Sequence, residues 1–143
     1  MNTTRIEGGC LCRAVRYVAT AEPLITRACW CRLCQSIAAG NASVNLAFAA
    51  DALTITGELR DYPSIADSGS HMHRRFCPAC GIHLFTAAEE RPHIIGVRAG
   101  TLDHPEHVKL DAVIWTSAAP AWAVFDPNVP RFEGQAPAPS IKK

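Results

Sequence analysis

Seven cysteines in 143 residues fall into three tight groups, and that grouping constrains the chain more than any other feature. They read C-x-C at Cys10 and Cys12, C-x-C-x2-C at Cys29, Cys31 and Cys34, and C-P-A-C-G from Cys77 through Cys80 to Gly81. A lone cysteine is usually a small buried hydrophobe, but pairs and triplets at these spacings are the spacings of metal ligands. An odd number cannot be fully paired as disulfides within one chain. The start, MNTTRIEGG, has no basic segment followed by an apolar run, so no signal peptide is expected. The expected compartment is therefore a reducing cytoplasm, where disulfides are rare.

Zinc takes thiolates in closed sets of four at structural sites and in open sets of three at catalytic ones. Seven divides as four plus three. The sequence CPAC followed by Gly81 has the form of a zinc knuckle, in which Pro78 and Gly81 permit a turn that aims backbone N–H groups at the sulfurs. A knuckle supplies two ligands. GGCLC, with flanking Gly8 and Gly9, is the natural donor of two more. Cys10, Cys12, Cys77 and Cys80 are thus expected to share one zinc and to staple the first strand to the middle of the chain. Closing so long a loop costs chain entropy that grows only logarithmically, and metal binding offsets it.

Cys29, Cys31 and Cys34 remain. If Cys29 to Cys31 is extended, residues two apart share a face. A helical turn starting at Cys31 puts Cys34 on that same face. The three thiolates then form a cup with an open fourth position, the ligand count of a catalytic zinc. The competing use of CPAC is a thioredoxin-type redox pair, which sits at a strand-to-helix junction of an α/β fold.

The rest of the chain argues against that fold. SVNLAFA alternates with period two, placing Val44, Leu46 and Phe48 on one side. RAVRYVA does the same for Val15, Tyr17 and Ala19, and LTITGEL, IHLFTA, HIIGVRAG and LDAVIWT behave similarly. Gly57, Pro63, Ser68-Gly69 and Asp103-His104-Pro105 punctuate the gaps. Short helices are expected only from about Cys31 to Ala39, with Leu33 and Ile37 on one face, and near Ala49 to Leu53. The expected fold class is therefore mainly β with short helical turns. A hydrophobic content of 48% supports a real core. A net charge of +1 gives no basic field of the kind that drives nucleic-acid binding. No run of about 18 apolar residues predicts a membrane helix.

The motifs GGCLCRAVRY, CWCRLCQ, RRFCPACGIHLF, VRAGTLD and WAVFDPNVPRF, in that order, resemble the glutathione-dependent formaldehyde-activating enzyme (GFA) family, which includes centromere protein V. The resemblance runs from about Arg5 to Phe132. It implies a small zinc-binding β-tent with two Zn2+ per chain. The structural zinc would lie on Cys10, Cys12, Cys77 and Cys80, and the catalytic zinc on Cys29, Cys31 and Cys34. It also implies a carbon–sulfur lyase that joins a small thiol such as glutathione to formaldehyde as S-(hydroxymethyl)glutathione. The centromere-protein branch suggests the alternative, a non-catalytic zinc module that binds a protein or a small thiol. The implied layout is one zinc domain over residues 1–133 and a flexible Pro/Ala-rich tail over 134–143. Two departures flank the cup. Trp30 stands where the family most often has His, and SIAAG stands where a small Ser-Gly pair is common.

Carboxylates on such a thiol would suit an arginine, and Arg27, Arg32, Arg74 and Arg75 flank the cysteine motifs. The alternative for each is a solvated surface charge. His71, His73, His83, His93, His104 and His107 are candidate bases or ligands, although no acidic partner for the HMH triplet is evident in the sequence. Trp115 and Trp122 read as core or rim packing. Trp30 must either pack beneath the cup or wall its pocket.

Overall fold

The computed structural model describes residues 4–137. Its elements are β1 (Ile6–Gly9), β2 (Arg16–Ala19), β3 (Ile25–Cys29), α1 (Arg32–Ile37), β4 (Ser43–Ala49), β5 (Leu53–Thr56), β6 (Arg60–Ile65), β7 (His71–Phe76), β8 (His83–Ala88), β9 (Ile94–Arg98) and β10 (Ala112–Ile114). Single 3-10 turns join some of these, one of them at Ala50–Ala52, where a short helix is expected from sequence. The mainly β class is what the alternating patterns predict.

Two sheets form. One is three-stranded, in the order β1-β2-β5, and the other seven-stranded, in the order β10-β3-β4-β9-β8-β7-β6. Every neighbouring pair is antiparallel except β10 and β3. Tyr17 and Ala19 of the small sheet, with Val15 just before β2, pack with Leu46, Phe48, Leu84, Phe85 and Val97 of the large one. Tyr17 meets Phe85 edge-on with ring centroids 5.4 Å apart, and its hydroxyl is 2.8 Å from the Thr101 Oγ1, which satisfies the buried polar tip. Each fully buried large side chain contributes about 1.5–3 kcal/mol.

The same alternation decides the other face of the large sheet. Arg27, Asn45 and Arg98 are cross-strand neighbours in one row, and Ala47, Gly96, Thr86 and Arg74 in the next. These residues point away from the core. A one-residue slip in any strand would exchange the two sets.

Two local features differ from the sequence reading. Pro63 lies inside β6 and not in a gap, paired opposite His73; β6 is the last strand of its sheet, where proline is tolerated. α1 is six residues long and shorter than expected, because Ala39 and Gly40 adopt positive φ (58° and 101°) and turn the chain out of the helix. Residues 134–137, the start of the expected tail, make hydrogen bonds to the rest of the domain. Gly134 C=O accepts from the Trp115 N–H at 3.1 Å, and the Arg27 guanidinium donates to the Pro137 C=O at 2.5 Å. Residues 138–143, the rest of the expected flexible tail, lie outside the described residues.

Candidate functional site

The four sulfurs of Cys10, Cys12, Cys77 and Cys80 lie within 4.8 Å of one another. Cys10 and Cys12 are 3.6 Å apart, and Cys12 and Cys77 3.7 Å. A zinc tetrahedron with S–Zn bonds of about 2.3 Å has S···S edges of about 3.8 Å, so the donor set fits the ion in both chemistry and spacing. Backbone N–H groups are aimed at the sulfurs: Val15 at Cys10 (3.3 Å) and Ala79 at Cys77 (3.4 Å). N–H groups of Cys12 and Ile82 hold the Cys80 thiol well below its ordinary range. Burial pushes the Cys10 thiol up, but the Val15 N–H and the neighbouring sulfurs outweigh it. Gly81 makes the knuckle possible, with φ at +77° and its N–H donating to the Cys77 C=O at 2.9 Å.

The second set forms as the C-x-C-x2-C spacing predicts. Cys29 ends β3, Cys31 caps α1, and Cys34 lies in the helix. Their sulfurs too lie within 4.8 Å of one another. The Cys34 N–H donates to the Cys31 Sγ at 3.4 Å. The S–H groups of Cys29 and Cys31, helped by the Ser43 hydroxyl and the Arg98 charge, hold the Cys34 thiol far down. The Cys29 thiol is pushed up by the same sharing with Cys31 and Cys34, and by burial. The Arg98 cation lies beside these three buried sulfurs. All seven cysteines are free thiols. Both clusters could hold a metal ion, and their all-sulfur donors are consistent with zinc.

The two sets differ in what surrounds them. The three-cysteine cup opens onto a cavity of about 200 Å³ whose floor is the outer face of the large sheet. Arg27, Arg74, Arg91 and Arg98 line it, with Asp67 as the one acidic residue in the lining. Trp115 and Gln135 wall it at the C-terminal side, joined by a 3.1 Å bond from the Trp115 Nε1 to the Gln135 Oε1. Ala136 packs into the same buried cluster as the three cysteines.

Residues 5–118 match the family model for glutathione-dependent formaldehyde-activating enzyme. The chain belongs to that family. A solved structure of a Rhodobacter sphaeroides protein shares its fold, with 21% identity, a TM-score of 0.51, and coverage of 72% of this chain and 90% of that one. No curated protein sequence matches significantly.

Within this family member the flanking candidates separate cleanly. Of the four arginines flagged from sequence, Arg27 and Arg74 reach the cleft, whereas Arg32 and Arg75 do not line it. Arg32 donates to the Gln35 Oε1 at 2.6 Å. Trp30 does not wall the cleft either. In the extended segment it points opposite to Cys29 and Cys31 and is buried against Trp122 and Phe125, both at 6.0 Å between ring centroids. The departure from His is therefore a packing choice behind the ligands. Trp122 itself is a rim residue, 63% exposed.

The HMH triplet does have acidic partners, brought in by neighbouring strands and turns. His71 pairs with Glu90 at 2.7 Å, and His73 bridges Asp61 (2.5 Å) and Glu89 (2.8 Å). These surface pairs raise both histidine pKa values. His83 stacks on Phe76 outside the cavity, and burial lowers its pKa. His93, His104 and His107 are exposed.

Sequence reasoning missed Arg91, Arg98 and Gln35. Gln35 is 4% exposed; its amide donates to the C=O groups of Trp30 (2.7 Å) and Ala118 (3.0 Å), which locks the cup's backbone in place. Arg98 had a usable signal, since VRAG places a charge inside an apolar strand pattern two residues after Gly96. Arg91 and Gln35 had none, because only the strand register and helix docking bring them to the site.

Proposed function

We propose that the chain is a zinc-dependent carbon–sulfur lyase acting on a thiol–aldehyde adduct of the S-(hydroxymethyl)glutathione type. The observation that carries this reading is the convergence of three sulfurs, and no fourth cysteine, at the end of a cleft. Cys10, Cys12, Cys77 and Cys80 would hold the structural zinc, and Cys29, Cys31 and Cys34 the catalytic one, in a single domain that works in the cytoplasm.

Zinc held at the cup by Cys29, Cys31 and Cys34 would favour the thiolate form of an incoming thiol. The chain's own groups do the rest. The cleft holds thiol and aldehyde together, which supplies most of the entropy such an addition needs. Arg98, beside Cys34 and in the lining of the cleft, would balance the negative charge of the thiolates and could stabilise an oxygen that becomes anionic as the C–S bond forms. In the forward direction sulfur adds to the carbonyl carbon and the thiol proton ends on the oxygen, with no change of oxidation state. The reverse cleaves the same bond.

The test is NMR saturation transfer between free formaldehyde and the adduct, with glutathione and with a panel of other thiols, on protein carrying two zinc ions per chain. Exchange accelerated above the uncatalysed rate is expected. Fully loaded protein that accelerates exchange with no thiol would overturn the lyase reading and leave a binding module.

A further inference from the structure

The two cysteine sets are covered unequally. Cys12 of the four-cysteine set is exposed and Cys80 half-buried, whereas Cys29, Cys31 and Cys34 are 8%, 9% and 7% exposed. The set with the open fourth position is thus the more deeply covered of the two. Part of that cover is the short segment 134–137. Its Ala136, 7% exposed, packs in one buried cluster with the three cysteines and Ile114, and its Gln135 lines the cleft. The segment lies beyond residues 5–118, the stretch that matches the family model.

Little holds this segment down. Just before it the chain is anchored: the N–H groups of Thr116 and Ser117 donate to the C=O groups of Phe132 (3.1 Å) and Glu133 (3.4 Å), and the Ser117 hydroxyl adds a 2.6 Å bond to the Glu133 C=O. From residue 134 to 137, none belongs to a strand or helix, and three hydrogen bonds are made among the described residues. The Trp115 N–H donates to the Gly134 C=O at 3.1 Å, the Trp115 Nε1 to the Gln135 Oε1 at 3.1 Å, and the Arg27 guanidinium to the Pro137 C=O at 2.5 Å. Gly134 sits where the anchored part ends. A Cβ there would meet nothing within 4 Å, so the chain is uncrowded at that point. Trp115, which makes two of the three bonds, has left-handed backbone angles, φ 58° and ψ 37°. Such a conformation is an outlier for a bulky residue and persists only where surrounding contacts impose it. Two of the contacts at Trp115 are those to this segment.

We infer that residues 134–137 form a strap that closes over the three-cysteine cup and has to lift before anything enters or leaves it. Lids are drawn from weakly held segments beside a hinge residue that absorbs the change of backbone angle. The strap has both, three hydrogen bonds and Gly134. Closed, it shields the sulfurs from water. The inference concerns access to the cup, and it holds whether the cup performs the proposed reaction or only binds a metal ion.

The test follows zinc leaving the fully loaded full chain into excess 4-(2-pyridylazo)resorcinol, with the two centres emptying in separate phases. Gln135→Ala removes the acceptor of the Trp115 indole N–H and should speed release from the cup about twofold to tenfold, the range for one hydrogen bond. Gly134→Ala acts in the other direction. It restricts the lifted strap more than the closed one and should slow the same phase about twofold to fivefold. Neither variant should change release from the four-cysteine centre or shift the melting temperature by more than about 3 °C. Cup rates that stay equal in the wild type and both variants would overturn the inference, because entry would then run through the mouth of the cleft alone. A change of equal size at both centres would overturn it too, as the mark of global unfolding. A second probe separates the strap from the chemistry: alkylation of Cys29, Cys31 and Cys34 by iodoacetamide, resolved residue by residue by mass spectrometry, on chain carrying zinc only at the four-cysteine centre. The order Gln135→Ala, wild type, Gly134→Ala, from fastest to slowest, would support the strap even if no thiol adds to formaldehyde. Identical alkylation rates in all three would count against it irrespective of turnover.

Discussion

The two cysteine centres use the same ligand chemistry in opposite settings. The four-cysteine centre joins segments far apart in the chain, at the start of the small sheet and at the β7–β8 turn, and its sulfurs are held by backbone N–H groups. The three-cysteine centre is local, built from six consecutive residues, and faces a cavity lined with cations. Ligands drawn from distant segments make a centre into a fastener. Ligands drawn from one short segment leave the rest of the sphere free for what the cleft brings in. The surroundings differ too: backbone N–H groups meet the sulfurs of the four-cysteine set, whereas the Arg98 cation lies beside the three-cysteine set.

The strongest way to break this contrast is to remove one ligand from each centre. Cys77 is fully buried, and Cys77→Ser should abolish cooperative unfolding and leave a chain without native circular dichroism at 25 °C. The apparent binding free energy of a structural zinc, about 10–16 kcal/mol in small zinc modules, matches or exceeds the stability of a typical domain. Cys34→Ser should do the reverse. Zinc content should fall from two ions to one, thiol–aldehyde exchange should drop to the uncatalysed rate, and the melting temperature should shift by less than about 10 °C. If Cys34→Ser unfolds the protein as completely as Cys77→Ser, both centres are fasteners and the contrast collapses.

A finer cut tests charge and not ligation. Arg98→Met removes the buried cation beside Cys34 while keeping much of its volume. Zinc affinity at the cup should fall about tenfold to a hundredfold, the usual effect of losing an outer-shell partner. Affinity at the four-cysteine centre should stay unchanged. Competition with a calibrated chelator, which resolves the two ions by their affinities, gives the measurement. An equal fall at both centres would mean that Arg98 supports the fold and not the cup.

Legibility from sequence follows the same division. The two groups of neighbouring cysteines were readable because each C-x-C, C-x2-C and C-x-C-x2-C motif is local, and the strands because alternation in SVNLAFA and RAVRYVA is local too. The cleft was not readable in full. Its arginines come from β3, β7, β9 and the turn before β9, and only the register that sets Arg27, Asn45 and Arg98 side by side shows that they share a face. Trp30 was ambiguous for a related reason: alternation decides its direction only once β3 is known to run up to Cys29. The acidic partners of the HMH triplet were not readable because they lie on the neighbouring strand β6 and in the turn after β8.

That triplet supplies the smallest effect and a contrast of sign. Both cysteine centres need deprotonated ligands, so their contribution to stability shrinks as pH falls. His73 works the other way. Its hydrogen bond to Asp61, then that to Glu89, raises its pKa above the ordinary 6.5. A group whose folded pKa is raised contributes stability that is fully present below its unfolded pKa and is lost as pH rises through the folded value. Asp61→Asn removes the larger cause, so the His73 pKa should move down towards 6.5 in a 1H–15N titration of its ring. The melting temperature of the variant should lie slightly below the wild type at pH values under 6.5, and the two curves should converge as pH rises above the wild-type His73 pKa. The exposed setting of this pair keeps the difference small. Zinc content and exchange rate should be unaffected, because neither Asp61 nor His73 belongs to a cysteine cluster or lines the cleft. A variant that loses stability equally at every pH would show that Asp61 acts through the strand pairing of β6 and not through His73 protonation.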